Sequence, residues 1–381
     1  MNEARAPRRF DLDSANGRGP IGALLRPVSW LYGAGRWTHR AIYRAGLKRR
    51  RRLPRPVICI GNLTVGGAGK TPLLIHLVNR AIGEGLRPVV LSRGYGADPP
   101  ADPPRVISDG KRVLFGADAA GDEPVVIARA CKGAPVVIGV DRFEAGEVAF
   151  EAFDPDLFLL DDGFQHEPLA RDADLVLWDA RDLPSKMRLL PAGRLREGLG
   201  ALRRATAVIV THGEYLEDSA REERMRRVLI ELKRAAPAAP VFEARSALTT
   251  VRRIAEARRD SLEDPIDEIA GRRALLVSGL ARPEGFETLV RRAGIDVVGH
   301  LAFGDHHRYD AASMAAIARA AEEARAERVL TTDKDAVKLE PSSAQGPRID
   351  AVRLEMSIAE PERWDPFWRE LTERARARIR A

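Results

Sequence analysis

From residue 57 to about 240, short runs that are apolar at nearly every position alternate with longer stretches whose apolar residues recur every three or four. The short runs fit strands buried on both faces, and the alternation predicts a parallel sheet with crossover helices. Strands are expected over 57–60, 88–92, 135–139, 157–160, 175–178 and 207–210. Residues 216–236 read as a charged surface helix, closed by Ala235-Ala236-Pro237. A second α/β pattern follows, with strands over 274–278, 297–298 and 329–332 and helices over 283–293 and 311–325. At 361–380, Trp364, Phe367, Trp368 and Leu371 recur at helical spacing, which predicts a closing helix that packs back on the first unit. The layout is therefore a tail (1–20), a basic amphipathic segment (21–55), a core (56–240), a linker with a short strand or two (241–270), a smaller α/β domain (271–360) and a closing helix (361–381).

The segment ahead of the core stands apart. Trp30, Ala34, Trp37, Ala41 and Ala45 share one helical face, flanked by Leu31 and Ile42, while Arg36, His39 and Arg40 lie opposite. The block Lys48-Arg49-Arg50-Arg51-Arg52 and then Arg55 follow. Tryptophan on one face and arginine on the other suit a helix lying at a bilayer interface beside anionic head groups. A helix packed on its own domain is the competing reading. A nucleic-acid patch ranks below both, because no recognisable binding module surrounds the tryptophans.

Composition narrows the class. At 381 residues, 45% hydrophobic and 31% charged, the chain is long enough for two domains with their own cores. The net charge of +7 is modest, so its concentration near residue 50 matters more than its sum. Cys59 and Cys131 provide neither a disulfide framework nor zinc-ligand spacing, which fits a reducing compartment. No apolar run is long enough to span a bilayer, and residues 1–20 lack the apolar stretch of a signal peptide.

The chemistry begins at Val65-Gly66-Gly67-Ala68-Gly69-Lys70-Thr71-Pro72, between the first strand and a helical pattern at Leu73, Leu74, Leu77 and Val78. Strand, glycine loop, Lys-Thr and helix is the layout of a phosphate-binding loop. Glycines let backbone N–H groups surround a phosphate, the helix N-terminus adds its dipole, and Lys70 and the Thr71 hydroxyl can serve phosphate and magnesium. Thr64 stands where the strict motif has its first glycine, so the loop is closer to the variant of MinD-like and dethiobiotin-synthetase-like ATPases. Asp161 and Asp162 end an apolar strand, the usual place for a carboxylate at magnesium. Asp122-Glu123-Pro124 reads as a helix start with Asp122 as N-cap, which still allows the acids to face a nucleotide. Ser92-Arg93-Gly94-Tyr95 and Asp141-Arg142 follow other strands on the same edge. Asp305-His306-His307 concentrates polar groups in the second domain; a histidine brought from there to a carboxylate would make a general-base pair.

Together these blocks resemble one family along nearly the whole chain: the tetraacyldisaccharide 4'-kinases, the lipid A 4'-kinases of Gram-negative bacteria. The resemblance rests on Leu31-Tyr32-Gly33, Gly61 through Pro72, Ser92-Arg93-Gly94-Tyr95, Gly121-Asp122-Glu123-Pro124 and Asp161-Asp162-Gly163-Phe164-Gln165-His166. It continues through Leu189-Leu190-Pro191-Ala192-Gly193, Leu195-Arg196-Glu197, Asp305-His306-His307 and Thr331-Thr332-Asp333-Lys334-Asp335-Ala336. It implies a P-loop kinase core that phosphorylates the 4'-hydroxyl of a lipid disaccharide 1-phosphate, with ATP and Mg²⁺, peripherally at the cytoplasmic face of the inner membrane. It also implies that Thr64, Val65, Gly66, Gly67, Ala68, Gly69, Lys70 and Thr71 hold the nucleotide. Thr71, Glu123, Asp162 and Asp161 would lie at the metal, and Asp122 would act as base with His306, beside Lys70. Asn62, Arg93, Arg142 and His166 match positions near substrate or phosphates. The chain departs from the family where two prolines of the Pro-Ala-Gly block become Arg194 and Gly198, in the turn at 183–187, and slightly at 278–284.

Two rivals predict different behaviour. A MinD-like membrane-associated regulatory ATPase would share the loop and a surface helix but hydrolyse ATP without an acceptor. A nucleic-acid binder would show steep salt dependence on oligonucleotides. The second domain with its Asp-His-His block opposes the first, and a monomer that binds no nucleic acid is expected.

Overall fold

The computed structural model describes residues 20–254, 263–339 and 349–380. All but Pro20 of the expected tail, and part of the expected linker, lie outside the described residues. Along the chain come α1 (Pro20–Arg44), β1 (Val57–Asn62), α2 (Lys70–Gly83), β2 (Pro88–Ser92), β3 (Arg105–Asp109), α3 (Ala117–Ala120), α4 (Asp122–Ala130), β4 (Pro135–Ile138) and α5 (Arg142–Phe153). They continue with β5 (Leu157–Asp161), β6 (Ala173–Asp179), β7 (Ala207–Thr211), α6 (Asp218–Ala235), β8 (Val241–Arg253), β9 (Asp264–Pro265), β10 (Arg273–Ser278) and α7 (Pro283–Arg292). The last are β11 (Asp296–Ala302), α8 (Ala311–Glu323), β12 (Arg328–Thr332), α9 (Asp333–Leu339), β13 (Ile349–Ile358) and α10 (Pro361–Arg380).

The strands form one sheet in the order β11-β10-β12-β13-β8-β7-β6-β1-β5-β2-β4-β3, with β9 paired to β8. The expected strands are present, and β1, at the centre of the first half, is buried along its whole length. Leu73, Leu74, Leu77, Val78 and Ala81 of α2 are buried, and a fully buried aliphatic side chain contributes roughly 1.5–3 kcal/mol. That packing fixes where α2 begins and so where the glycine loop sits. Gly61 is required here: a Cβ on it would fall 2.7 Å from the Cβ of Phe164.

Residues 241–253, expected as linker, are instead a 13-residue strand. Its start pairs parallel with β7 and the remainder antiparallel with β13, so β8 carries the sheet from one half into the other. Two further strands escaped the hydrophobic pattern. β13 carries polar residues between its apolar ones, and β3 is a short antiparallel edge after a proline-rich stretch. α10 packs on α2 through Arg80–Asp365 (2.7 Å) and a bond from Trp368 Nε1 to Glu84 (3.0 Å), with Trp364 and Trp368 buried.

α1 turns its polar face toward the protein. Arg36 and Arg40 pair with Glu197 at 3.2 and 2.8 Å, Arg40 also approaches Glu167, and Tyr32 donates to the Arg196 carbonyl. In the basic block, Arg50, Arg51 and Arg52 pair with Glu167, Asp141 and Asp172. The expectation that Arg36 and Arg40 face anionic head groups is thus corrected, because the buried carboxylates of Glu197 and Glu167 take them up. Outward, α1 leaves Trp30, Leu31 and Trp37 75%, 74% and 70% exposed, with Arg26, Thr38 and Arg44 exposed as well.

Candidate active site

The glycine loop leaves β1 and ends at Gly69, whose φ of 81° is left-handed and whose missing Cβ leaves room for Met356 and His212. Thr211 donates to the Ala68 carbonyl at 2.9 Å, and the Val65 N–H donates to the Arg194 carbonyl at 2.8 Å. Asn62, expected near substrate, is fully buried beneath the loop. Its Oδ1 accepts from Lys70 Nζ (3.4 Å) and its Nδ2 donates to Thr64 (3.2 Å), so it aims the lysine.

Two carboxylates at the end of β5 meet this lysine in different ways. Asp162, in a left-handed turn (φ 49°), lies 3.6 Å from Lys70 and accepts both bonds of Arg196 Nη1 (3.0 and 2.9 Å). Burial alone would raise its pKa, but Lys70 and Arg196 outweigh it and hold the carboxyl below its usual range. Asp161 is buried; Ser92 donates to one oxygen at 3.0 Å, and the other has no partner. Burial first, then Glu123 and Asp162, push it up to about 7.

Asp122 opens α4, but the residue capping that helix is Gly121 (φ 86°), where a Cβ would strike the Tyr95 carbonyl at 2.3 Å. The N-cap reading of Asp122 is therefore corrected. Its carboxylate turns across the molecule: Oδ2 lies 3.1 Å from His306 Nδ1, 184 positions away in sequence, and 3.1 Å from Lys338 Nζ. Burial opposes ionisation, but the His306 bond and then Lys338 keep the Asp122 pKa below the usual carboxylate range. His306 sits in a left-handed turn (φ 57°) with its ring 5.7 Å from that of Tyr95. Lys334 lies 3.8 Å from Glu123 and 3.3 Å from Asp305.

A cleft of about 870 Å³ joins these groups. Gly66 to Thr71, Arg93, Glu123, Arg142, Asp161, Asp162, His166 and His306 all line it, whereas Asn62, Thr64, Val65 and Asp122 are not among its lining residues. Burial and then Arg93 lower the Arg142 guanidinium to about 10; Arg142 Nη1 donates to the Val140 carbonyl at 2.7 Å. Burial and then Arg142 push the His166 imidazole down to about 3, and its buried Nε2 has no partner. The cleft thus presents a loop able to wrap phosphates, a lysine, three carboxylates and an imidazole, His306, backed by the Asp122 carboxylate.

The sequence model of the tetraacyldisaccharide-1-P 4'-kinases (LpxK) matches residues 21–373. The chain belongs to this family. It is 41% identical over 349 residues to a tetraacyldisaccharide 4'-kinase of Anaeromyxobacter sp. (strain Fw109-5), covering 92% of this chain and 91% of that one. It is 38% identical over 341 residues to the tetraacyldisaccharide 4'-kinase of Geobacter sulfurreducens, covering 90% and 91%. A crystal structure of LpxK from Aquifex aeolicus in complex with ATP has the same fold, with a TM-score of 0.72, 29% identity and coverage of 93% and 99%.

In this family member, several cleft contacts come from residues the sequence did not single out by role. Lys338 is buried between Asp122 and Asp335, and its position three residues after Asp335 on α9 is the signal that could have found it. Arg196 was quoted within a block without a role, yet it grips Asp162. The group around Asp179, Asp182, His212 and Arg282 gave no sequence signal, since its members come from three distant segments: the end of β6 with the turn after it, the residue after β7 and the loop ahead of α7.

Proposed function

We propose that the protein is an ATP-dependent kinase that transfers the γ-phosphate to the 4'-hydroxyl of a tetraacyldisaccharide 1-phosphate. The observation that carries this reading, beyond family membership, is the 3.1 Å approach of His306 to Asp122 across the cleft from Lys70. A sugar hydroxyl is a weak nucleophile; Asp122, oriented by His306 and Lys338, accepts its proton as attack proceeds. Gly66 to Gly69 and the N-terminus of α2 hold the nucleotide phosphates, and Lys70, aimed by Asn62, neutralises the charge that develops on transfer. Arg93 and Arg142 offset phosphate charge, and His166, kept neutral, lines the substrate side.

Thr71, Glu123, Asp161 and Asp162 are the groups that would hold Mg²⁺. Among the described residues no cluster of three His, Cys, Asp or Glu is gathered at ligating distance, which suits an ion taken up with nucleotide phosphates and only one or two carboxylates. The orphaned buried oxygen of Asp161 fits a missing cation. When bound, the ion would supply positive charge that offsets the charge of the nucleotide phosphates. Closure of the two half-sheets over the cleft would keep water from the nucleotide.

The outward apolar face of α1 would lie in the cytoplasmic leaflet of the inner membrane, where an acylated substrate resides. No described helix is long and apolar enough to cross a membrane. The test is transfer of labelled γ-phosphate from ATP to a tetraacyldisaccharide 1-phosphate in detergent micelles, with Lys70→Ala, Asp122→Ala and His306→Ala beside wild type. Labelled lipid from wild type, with large losses in all three variants, is expected. Hydrolysis of ATP without labelled lipid would instead favour a regulatory ATPase.

A further inference from the structure

We infer that Arg194 and Arg282 are positioning residues: with the buried Asp182 they form a link that ties the orientation of the glycine loop to the seating of the second half-sheet. Arg194 occupies one of the positions where this chain departs from its family's pattern, so nothing about the family's chemistry requires it. Its guanidinium serves two partners. Nε and Nη2 donate to the Val65 carbonyl at 3.2 and 2.8 Å, and Nη1 donates to both oxygens of Asp182 at 3.2 and 3.0 Å. Gly66 makes room for this: its φ is 102°, and a Cβ there would lie 2.7 Å from Arg194 Nη2. The Val65 carbonyl belongs to the same planar peptide as the Gly66 N–H, so fixing one orients the other. That N–H opens the part of the loop expected to meet phosphate.

Arg282 supplies the other half of the link, from the loop ahead of α7. Its Nη2 donates to Asp182 at 2.9 Å and its Nη1 to Asp179 at 3.2 Å. Asp179 also receives Arg181 (2.6 Å) and lies 3.0 Å from His212 Nδ1. His212 stands against the far end of the loop, where a Cβ on Gly69 would come within 3.3 Å of its Nε2. The network therefore touches both ends of the glycine loop, and in it Arg282 alone belongs to the second half-sheet. Asp179 and Asp182 are buried; burial opposes ionisation of Asp179, but His212 and then Arg181 hold its carboxyl well below the usual range. A buried carboxylate stripped of one cationic partner is unstable where it stands and draws its neighbours to new positions. Withdrawal of Arg282 would take one cation from Asp182 and draw Arg194 toward that carboxylate and away from Val65. Seating of the second half-sheet thereby prepares the loop for nucleotide.

The link rests on the kinase reading only for the identity of the nucleotide, so its test reads nucleotide binding without lipid. Dissociation constants for a fluorescent ATP analogue would be measured for wild type, Arg194→Met, Arg282→Met, Arg282→Lys and the double methionine variant, with thermal midpoints recorded for each. The expected result is affinity about tenfold weaker in either single methionine variant, which corresponds to roughly 1.4 kcal/mol, partial recovery with lysine, and a double variant no weaker than Arg194→Met. In the lipid-phosphorylation assay the same variants should raise KM for ATP and leave KM for lipid unchanged, which a general loss of folded protein would not do. Unchanged nucleotide affinity in folded Arg282→Met, or independent effects that multiply in the double variant, would overturn the link. Normal nucleotide binding by wild type with no lipid product would defeat the kinase reading and leave the link standing.

Discussion

The two half-sheets meet beside the glycine loop in two places, and the places differ in kind. On one side Asp122 and Glu123 face His306, Lys334 and Lys338; on the other Asp179 and Asp182 face Arg282. The first crossing reaches the cleft through His306, about one-third exposed, and its cations are an imidazole and ammonium groups. The second also reaches the cleft, through Arg282, but its carboxylates are buried and a guanidinium crosses to them. Imidazole can take or give a proton near neutral pH, whereas arginine stays charged and holds planar, two-pronged bonds. The comparison teaches that similar ion pairs, placed on either side of one loop, suit opposite tasks: the crossing made by an imidazole can exchange a proton, and the one made by a guanidinium can only hold.

The largest expected effect tests the reactive crossing. Asp122→Asn should lower kcat about a thousandfold while the dissociation constant for ATP changes less than about twofold, because a general base acts in the transition state rather than in nucleotide binding. Equal losses in both quantities would erase the distinction between the crossings. Lys338→Met should come next, with kcat about 10- to 100-fold lower and substantial recovery in Lys338→Arg, since it bridges Asp122 and Asp335 without facing the nucleotide. A variant with full activity would remove Lys338 from the crossing.

A control lies outside both. Trp30→Ser with Trp37→Ser should weaken binding to anionic vesicles about tenfold and leave the thermal midpoint unchanged, because these side chains touch solvent and not the core. The smallest effect concerns His166, buried and neutral on the reactive side. Its folded pKa of about 3 lies below the ordinary value of about 6.5, so the unfolded chain binds the extra proton between them. Its contribution is present in full above about pH 6.5 and is lost as pH falls toward 3. Thermal midpoints measured from pH 7 to pH 4 should fall less steeply in His166→Asn than in wild type. A parallel decline would mean that His166 is not the group resisting protonation.

Much of this was legible in the chain. The fully apolar runs at β1, β5 and β7 announced buried parallel strands, because a strand covered on both faces cannot alternate. The glycine loop and the carboxylates after β5 were legible for a similar reason, since their chemistry is local: consecutive residues make the turn and the ligand edge. Family resemblance added His306 as the partner of Asp122, which spacing alone could not supply. β8 was misjudged because its two ends pair with different neighbours in opposite directions, and its partly exposed pattern gave no single period. The facing of α1 was also misjudged. Its helical spacing separated the apolar and basic faces correctly, but Glu167 and Glu197, which draw the basic face inward, lie more than a hundred residues away.

The sequence by itself determined most of the strands and helices, the loop with Lys70 and the kinase family, all of which follow from residues near one another or from the order of motifs. Tertiary structure alone decided which charges meet: Asp122 with Lys338, Asp182 with Arg194 and Arg282, and Arg40 with Glu197. The physical reason is that a charged side chain can satisfy itself with any opposite charge that burial brings within about 4 Å, and nothing in its own stretch of chain says which one that will be.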